Sequence, residues 1–122
     1  HQFSGGMRQR VAFARTLLSG APVLCLDEPF GALDAITRAA AQRWLSRALA
    51  NERRTVVLVT HDVEEAALLA DRVVVLSPAP GRVAAELAVA VARPPDGRAV
   101  TDPVVAAVRA EALDALAIGV VR

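Results

Sequence analysis

No lysine occurs among the 122 residues, so all 14 basic side chains are arginine. Phosphate chemistry that depends on a lysine ammonium has no donor within this chain. Tyrosine is also missing, and three Phe and one Trp are the whole aromatic complement. With 26 Ala and 18 Val carrying most of the apolar content, bulk is scarce, which argues against a large, deep core. A single cysteine, Cys25, excludes an internal disulfide and any multi-cysteine zinc site. No apolar run exceeds six residues (Leu87–Ala92), far short of the ~20 that a membrane-spanning helix needs. Charge of either sign lacks an excess: 14 basic residues stand against 13 acidic ones, for a net +1. Such a balance makes no field for non-specific binding to nucleic acid or a membrane surface, and no nucleic-acid partner is expected.

What is present is apolar and short. The apolar fraction is 54% and the mean hydropathy +0.38, which excludes a disordered chain. The length suits at most one domain. The chain opens at His1, inside what reads as a functional loop and without a signal-peptide pattern. A piece of a longer protein is therefore expected.

Helical spacing begins at Met7 and continues through Val11, Ala14 and Leu18, with Ser4 as its cap and Gly20 and Pro22 as its stop. Val23–Leu26 is an unbroken apolar run closed by Asp27, as in a buried parallel strand with polar residues at its C-terminal end. Pro29 and Gly31 break the chain into a loop. An Ala-rich helix is predicted over 35–50, with Ile36, Ala40, Trp44 and Ala48 on one stripe. Thr55–Thr60 reads as a second strand leading to His61, and Asp62 caps a short helix through Ala70. Arg72–Leu76 is a third strand, Ser77–Gly81 a turn, and 82–92 a further candidate strand. After a linker from Arg93 to Gly97, Asp102-Pro103 opens a terminal helix marked by Val105, Val108, Ala112 and Leu116 and ending near Gly119. Alternating helices and strands imply an α/β fold with a mainly parallel sheet.

Two features carry chemistry. Ser4-Gly5-Gly6 opens a helix, where free N–H groups, a hydroxyl and unhindered backbone together can bind phosphate. By itself this pattern reads first as an ordinary Ser-capped helix. Asp27 and Glu28 place adjacent carboxylates at a strand end, where one can face Mg²⁺ and the other a water beside a γ-phosphate. Solvated carboxylates at a strand end would look the same.

Taken together, the motifs resemble the ATP-binding-cassette ATPases over residues 1–92. Ser4-Gly5-Gly6 with Gln9-Arg10 is similar to that family's signature, Val23–Glu28 to its Walker B strand, Ala32-Leu33-Asp34 to its D-loop, and His61 to its switch histidine. Phe3 and Met7 depart from the commonest signature residues, and no G-x-x-x-x-G-K-[ST] loop occurs. The resemblance therefore covers the C-terminal half of a P-loop NTPase domain, with 93–122 as linker and terminal helix. Leu76-Ser77-Pro78 and Pro80-Gly81-Arg82 are similar to the nitrate, sulfonate and taurine import branch.

The resemblance implies roles. Asp27 would hold Mg²⁺, Glu28 would act as general base, and His61 would contact the γ-phosphate. Asp34 would communicate across a dimer. Ser4, Gly5 and Gly6 would grip ATP bound to a second ATPase subunit. The implied partners are that second subunit, an integral-membrane permease and, indirectly, a solute-binding protein, at the cytoplasmic face of the membrane. A non-transport ATPase of the same superfamily and a non-catalytic regulatory module are the alternatives. Cys25 and Trp44 are expected to be core residues.

Overall fold

A computed structural model describes residues 5–121, with side chains through 118. The chain forms two compact units: residues 5–61 joined by Arg93–Gly97, and Asp62–Ala92 joined by the segment from Arg98 onward.

In the first unit, α1 spans Gly5–Leu18, β1 Val23–Asp27, α2 Ala35–Leu49 and β2 Thr55–Val59. The two strands pair in parallel, in a register running from Val23 opposite Thr55 to Asp27 opposite Val59. Side chains of β1 alternate, so Leu24 and Leu26 are buried while Val23, Cys25 and Asp27 face outward. Phe13, Leu24, Leu26, Phe30, Leu33, Ala41, Leu45 and Leu49 are the unit's buried apolar residues. The aromatic side chains among the described residues gather there: Phe13 meets Phe30 edge-on at 5.5 Å and stacks on Trp44 at 5.8 Å.

Three expectations are corrected here. On α1, Met7, Val11 and Leu18 are exposed, and the buried residue is Phe13. A Phe ring buries more apolar area than Val or Met at neighbouring positions, so it sets the helix's rotation. On α2 the buried line is Ala41, Leu45 and Leu49, one residue on from the predicted stripe, and Ile36 is 85% exposed. Cys25 is exposed, because β1 is covered on one face only.

In the second unit, α3 spans Val63–Leu69, β3 Arg72–Leu76, β4 Val83–Ala88 and α4 Pro103–Val121. β3 and β4 are antiparallel, with an irregularity at Val75/Leu76. In place of one mainly parallel sheet, the described residues form two separate two-stranded sheets, parallel for β1 and β2 and antiparallel for β3 and β4. A short turn explains the difference. Parallel strands need a crossover of a dozen or more residues, whereas Ser77–Arg82 reverses the chain within a hairpin closed by the Ser77 N–H to the Arg82 carbonyl at 2.8 Å. Ala67, Val89, Val105 and Val108 form the core of this unit. The α4 stripe of Val105, Val108 and Ala112 is buried as its spacing predicts, and its cap is as predicted too, with Asp102 accepting from the Val104 N–H at 2.8 Å.

Candidate functional site

The parallel register dictates where polar residues emerge. Because Asp27 lies opposite Val59, the residues that follow each strand leave the sheet at the same end. Glu28 follows β1 directly, and Thr60 and then His61 follow β2. The Glu28 N–H donates to the Val59 carbonyl at 2.7 Å, extending the ladder by one bond beyond the strand. Glu28 has φ +47°, a left-handed conformation that a Glu adopts at a cost of roughly 1–3 kcal/mol. That turn brings its carboxylate back beside His61: Nδ1 of His61 stands 2.9 Å from Oε1 of Glu28. The pair is open to solvent, with the imidazole 83% and the carboxylate side chain 39% exposed. Asp27 lies on the outward face of the same strand end.

The loop after Glu28 is anchored by Phe30, 1% exposed, and by bonds from the Gly31 N–H to the Glu28 carbonyl and from the Leu33 N–H to the Phe30 carbonyl. It ends at Asp34, the N-cap of α2. Oδ1 of Asp34 accepts from the Thr37 N–H and Oδ2 from the Thr37 hydroxyl, both at 2.9 Å. These bonds, the backbone one foremost, hold the Asp34 carboxyl below its ordinary range. The Arg38 guanidinium donates to the Leu33 carbonyl at 2.7 Å and fixes the loop from the other side.

Gly5 and Gly6 are the first residues of α1. A Cβ on Gly5 would stand 2.9 Å from Leu33 Cδ2, and one on Gly6 3.1 Å from the Thr37 methyl. Their lack of a side chain lets the start of α1 sit against the start of α2. Ser4, the remaining predicted phosphate ligand, lies outside the described residues.

The predicted site residues therefore fall into two groups. Glu28 and His61 are in direct contact, with Asp27 one residue before. Gly5 and Gly6 are joined to Asp34 through Leu33 and Thr37. Among the described residues no three His, Cys, Asp or Glu gather as a metal cage. The Asp27 carboxylate, outward-facing at the end of β1, is a hard oxygen donor of the kind Mg²⁺ takes when phosphate oxygens and waters complete its shell. The motif reading missed Thr37 and Arg38. The signal was present locally, as an Asp three residues before a Thr at a helix start.

Residues 1–31 match the family model described as ABC transporter. Over 117 residues, 96% of this chain and 44% of the other, the sequence is 52% identical to an aliphatic sulfonates import ATP-binding protein of Nocardia farcinica. A protein of the same description from Rhodococcus jostii is 66% identical over 76 residues, 62% of this chain and 31% of that one. The nitrate import ATP-binding protein of Synechococcus elongatus is 50% identical over 117 residues, 94% of this chain and 43% of that one. The chain spans less than half the length of these curated relatives.

Proposed function

From its homology to the ATP-binding proteins of ABC transporters, we propose that this chain is part of an ATP-hydrolysing subunit of an importer. The observation that carries the reading is the contact between Glu28 and His61 at the shared end of two parallel strands. The relatives' printed names support the import role and a small anionic cargo, a sulfonate or nitrate; the resemblance of Leu76-Ser77-Pro78 and Pro80-Gly81-Arg82 to the nitrate, sulfonate and taurine branch adds taurine to that class. In this reading the chain supplies the later part of a P-loop NTPase domain, with the motif-bearing residues in 1–92.

Glu28 acts on water. As the general base it takes a proton from a water molecule whose oxygen attacks the γ-phosphorus, while ADP departs. The bond to His61 holds the carboxylate at a set rotation, and in this reading the imidazole would also contact the γ-phosphate. Mg²⁺, when bound, would supply charge neutralisation at the triphosphate. Asp27 is the residue that would hold the ion. Gly5 and Gly6 would present the start of α1 to ATP on a second subunit, with Ser4 as a further ligand of that ATP, and Asp34 would communicate across the dimer. The pair drives an integral-membrane permease from the cytoplasmic face, fed indirectly by a solute-binding protein.

The test is a pair of substitutions in the complete ATP-binding protein. Glu28→Gln keeps the side chain's shape but cannot take a proton, so turnover should fall by about 10²–10⁴-fold with ATP binding retained. Asp27→Asn should instead weaken binding that depends on Mg²⁺. Hydrolysis by Glu28→Gln at the wild-type rate would refute the assignment of the base.

A further inference from the structure

The proposed reaction needs the start of α1 and the Asp34 carboxylate held in one geometry. The residue placed to do this carries none of the roles above. Thr37 touches both. Its methyl lies against Gly6 so closely that a Cβ there would stand 3.1 Å from it. Its other two groups go to Asp34: the N–H to Oδ1 and the hydroxyl to Oδ2, both at 2.9 Å. Thr is branched at Cβ, so its methyl and hydroxyl cannot be set separately. Where the hydroxyl is held by Asp34, the methyl is held against Gly6. Arg38 adds a stop on the loop by bonding the Leu33 carbonyl at 2.7 Å, and Leu33 in turn lies under Gly5.

We propose that Thr37 is a positioning residue of the composite ATP site, its hydroxyl setting the Asp34 carboxylate and its methyl seating Gly6, so that the two groups presented to the second subunit are aligned as one. This rests on the reading of the chain as an ATPase subunit that works in pairs. Stability alone gives little reason for the arrangement. The bonds to Asp34 are solvent-exposed, where each contributes little to folding.

The experiment uses the complete protein in the Glu28→Gln background, which should accumulate as ATP-bound pairs. Sedimentation reads pairing, calorimetry below the pairing concentration reads ATP affinity of the single subunit, and a melt reads stability. Thr37→Ala should weaken ATP-driven pairing about tenfold, the size of one charge-assisted hydrogen bond, with single-subunit ATP affinity and melting temperature unchanged. Thr37→Ser keeps the hydroxyl and Thr37→Val keeps a methyl, so each should recover part of the loss. These two also carry the test if the Ala variant does not fold. Undiminished pairing in Thr37→Ala overturns the inference. So does a parallel loss of pairing, ATP affinity and stability in all three variants, which marks a structural role only. If the Glu28→Gln parent itself does not pair with ATP, the paired-subunit reading falls and takes this inference with it.

Discussion

Glu28 illustrates how one residue's backbone can be held against its preference. Left to itself a Glu avoids positive φ, yet the Val59 carbonyl, the Gly31 N–H and the His61 ring all bind it in that conformation. Glu52 is a contrasting case, in which the effect is electrostatic. The Arg54 guanidinium, and then the Arg54 N–H, lower its pKa from 4.5 to about 2. A depressed carboxylate pKa stabilises the fold above the unfolded value and loses that contribution as pH falls toward the folded one. The complete protein should therefore lose stability between pH 4.5 and about 2, and Glu52→Gln should lose less across that window. Denaturant midpoints at a series of pH values measure this. A wild-type advantage of equal size at pH 2 and pH 6 would contradict it.

Elements are held at their ends by arginines. Arg54 donates to the carbonyls of Leu17 and Ala21 at the end of α1, at 2.6 and 3.1 Å. Arg98 does the same for α3: it bonds the carbonyls of Ala67, Leu68 and Ala70, and that of Val91, while its side chain is 2% exposed. The last carbonyls of a helix have no partners within it, and one guanidinium fork reaches several at once. Arg98→Met should cost about 3–5 kcal/mol, because it removes the donor that those buried and part-buried carbonyls share. Arg98→Lys should recover little, since an ammonium lacks the planar fork. Chemical denaturation of the complete protein gives the comparison. Full recovery by Lys would mean that charge, not geometry, is what α3 requires.

At the scale of the whole chain, apolar surface remains open. Each unit has a two-stranded sheet, and Val23, Val57 and Val59 in the first and Val74, Leu76 and Val83 in the second are 44–63% exposed. Two strands with one face covered are marginal in water. The 122-residue chain, expressed alone, should melt without a sharp transition and self-associate. It should also bind ATP weakly, because it has no lysine and no phosphate loop. Light scattering, a thermal melt and calorimetry decide this. A cooperative melt of a monomer with micromolar ATP affinity would overturn it.

What the sequence determined was local. Asp62 and Asp102 cap their helices as predicted, because a cap involves only the next three residues. The ends of β1 and β2 were legible because an apolar run closes on a charged or polar residue within a few positions. The rotation of α1 and α2 and the exposure of Cys25 were decided by tertiary structure. Each depends on which surface a segment packs against, and periodicity tells only that a stripe exists. The same holds for the site. Sequence named Glu28 and His61 separately, 33 residues apart, and only the parallel register of β1 and β2 brought them to 2.9 Å. The bonds of Thr37 to Asp34 are local and were legible, but its contact with Gly6 crosses 31 positions of chain, and only the packing of one helix start on another makes it.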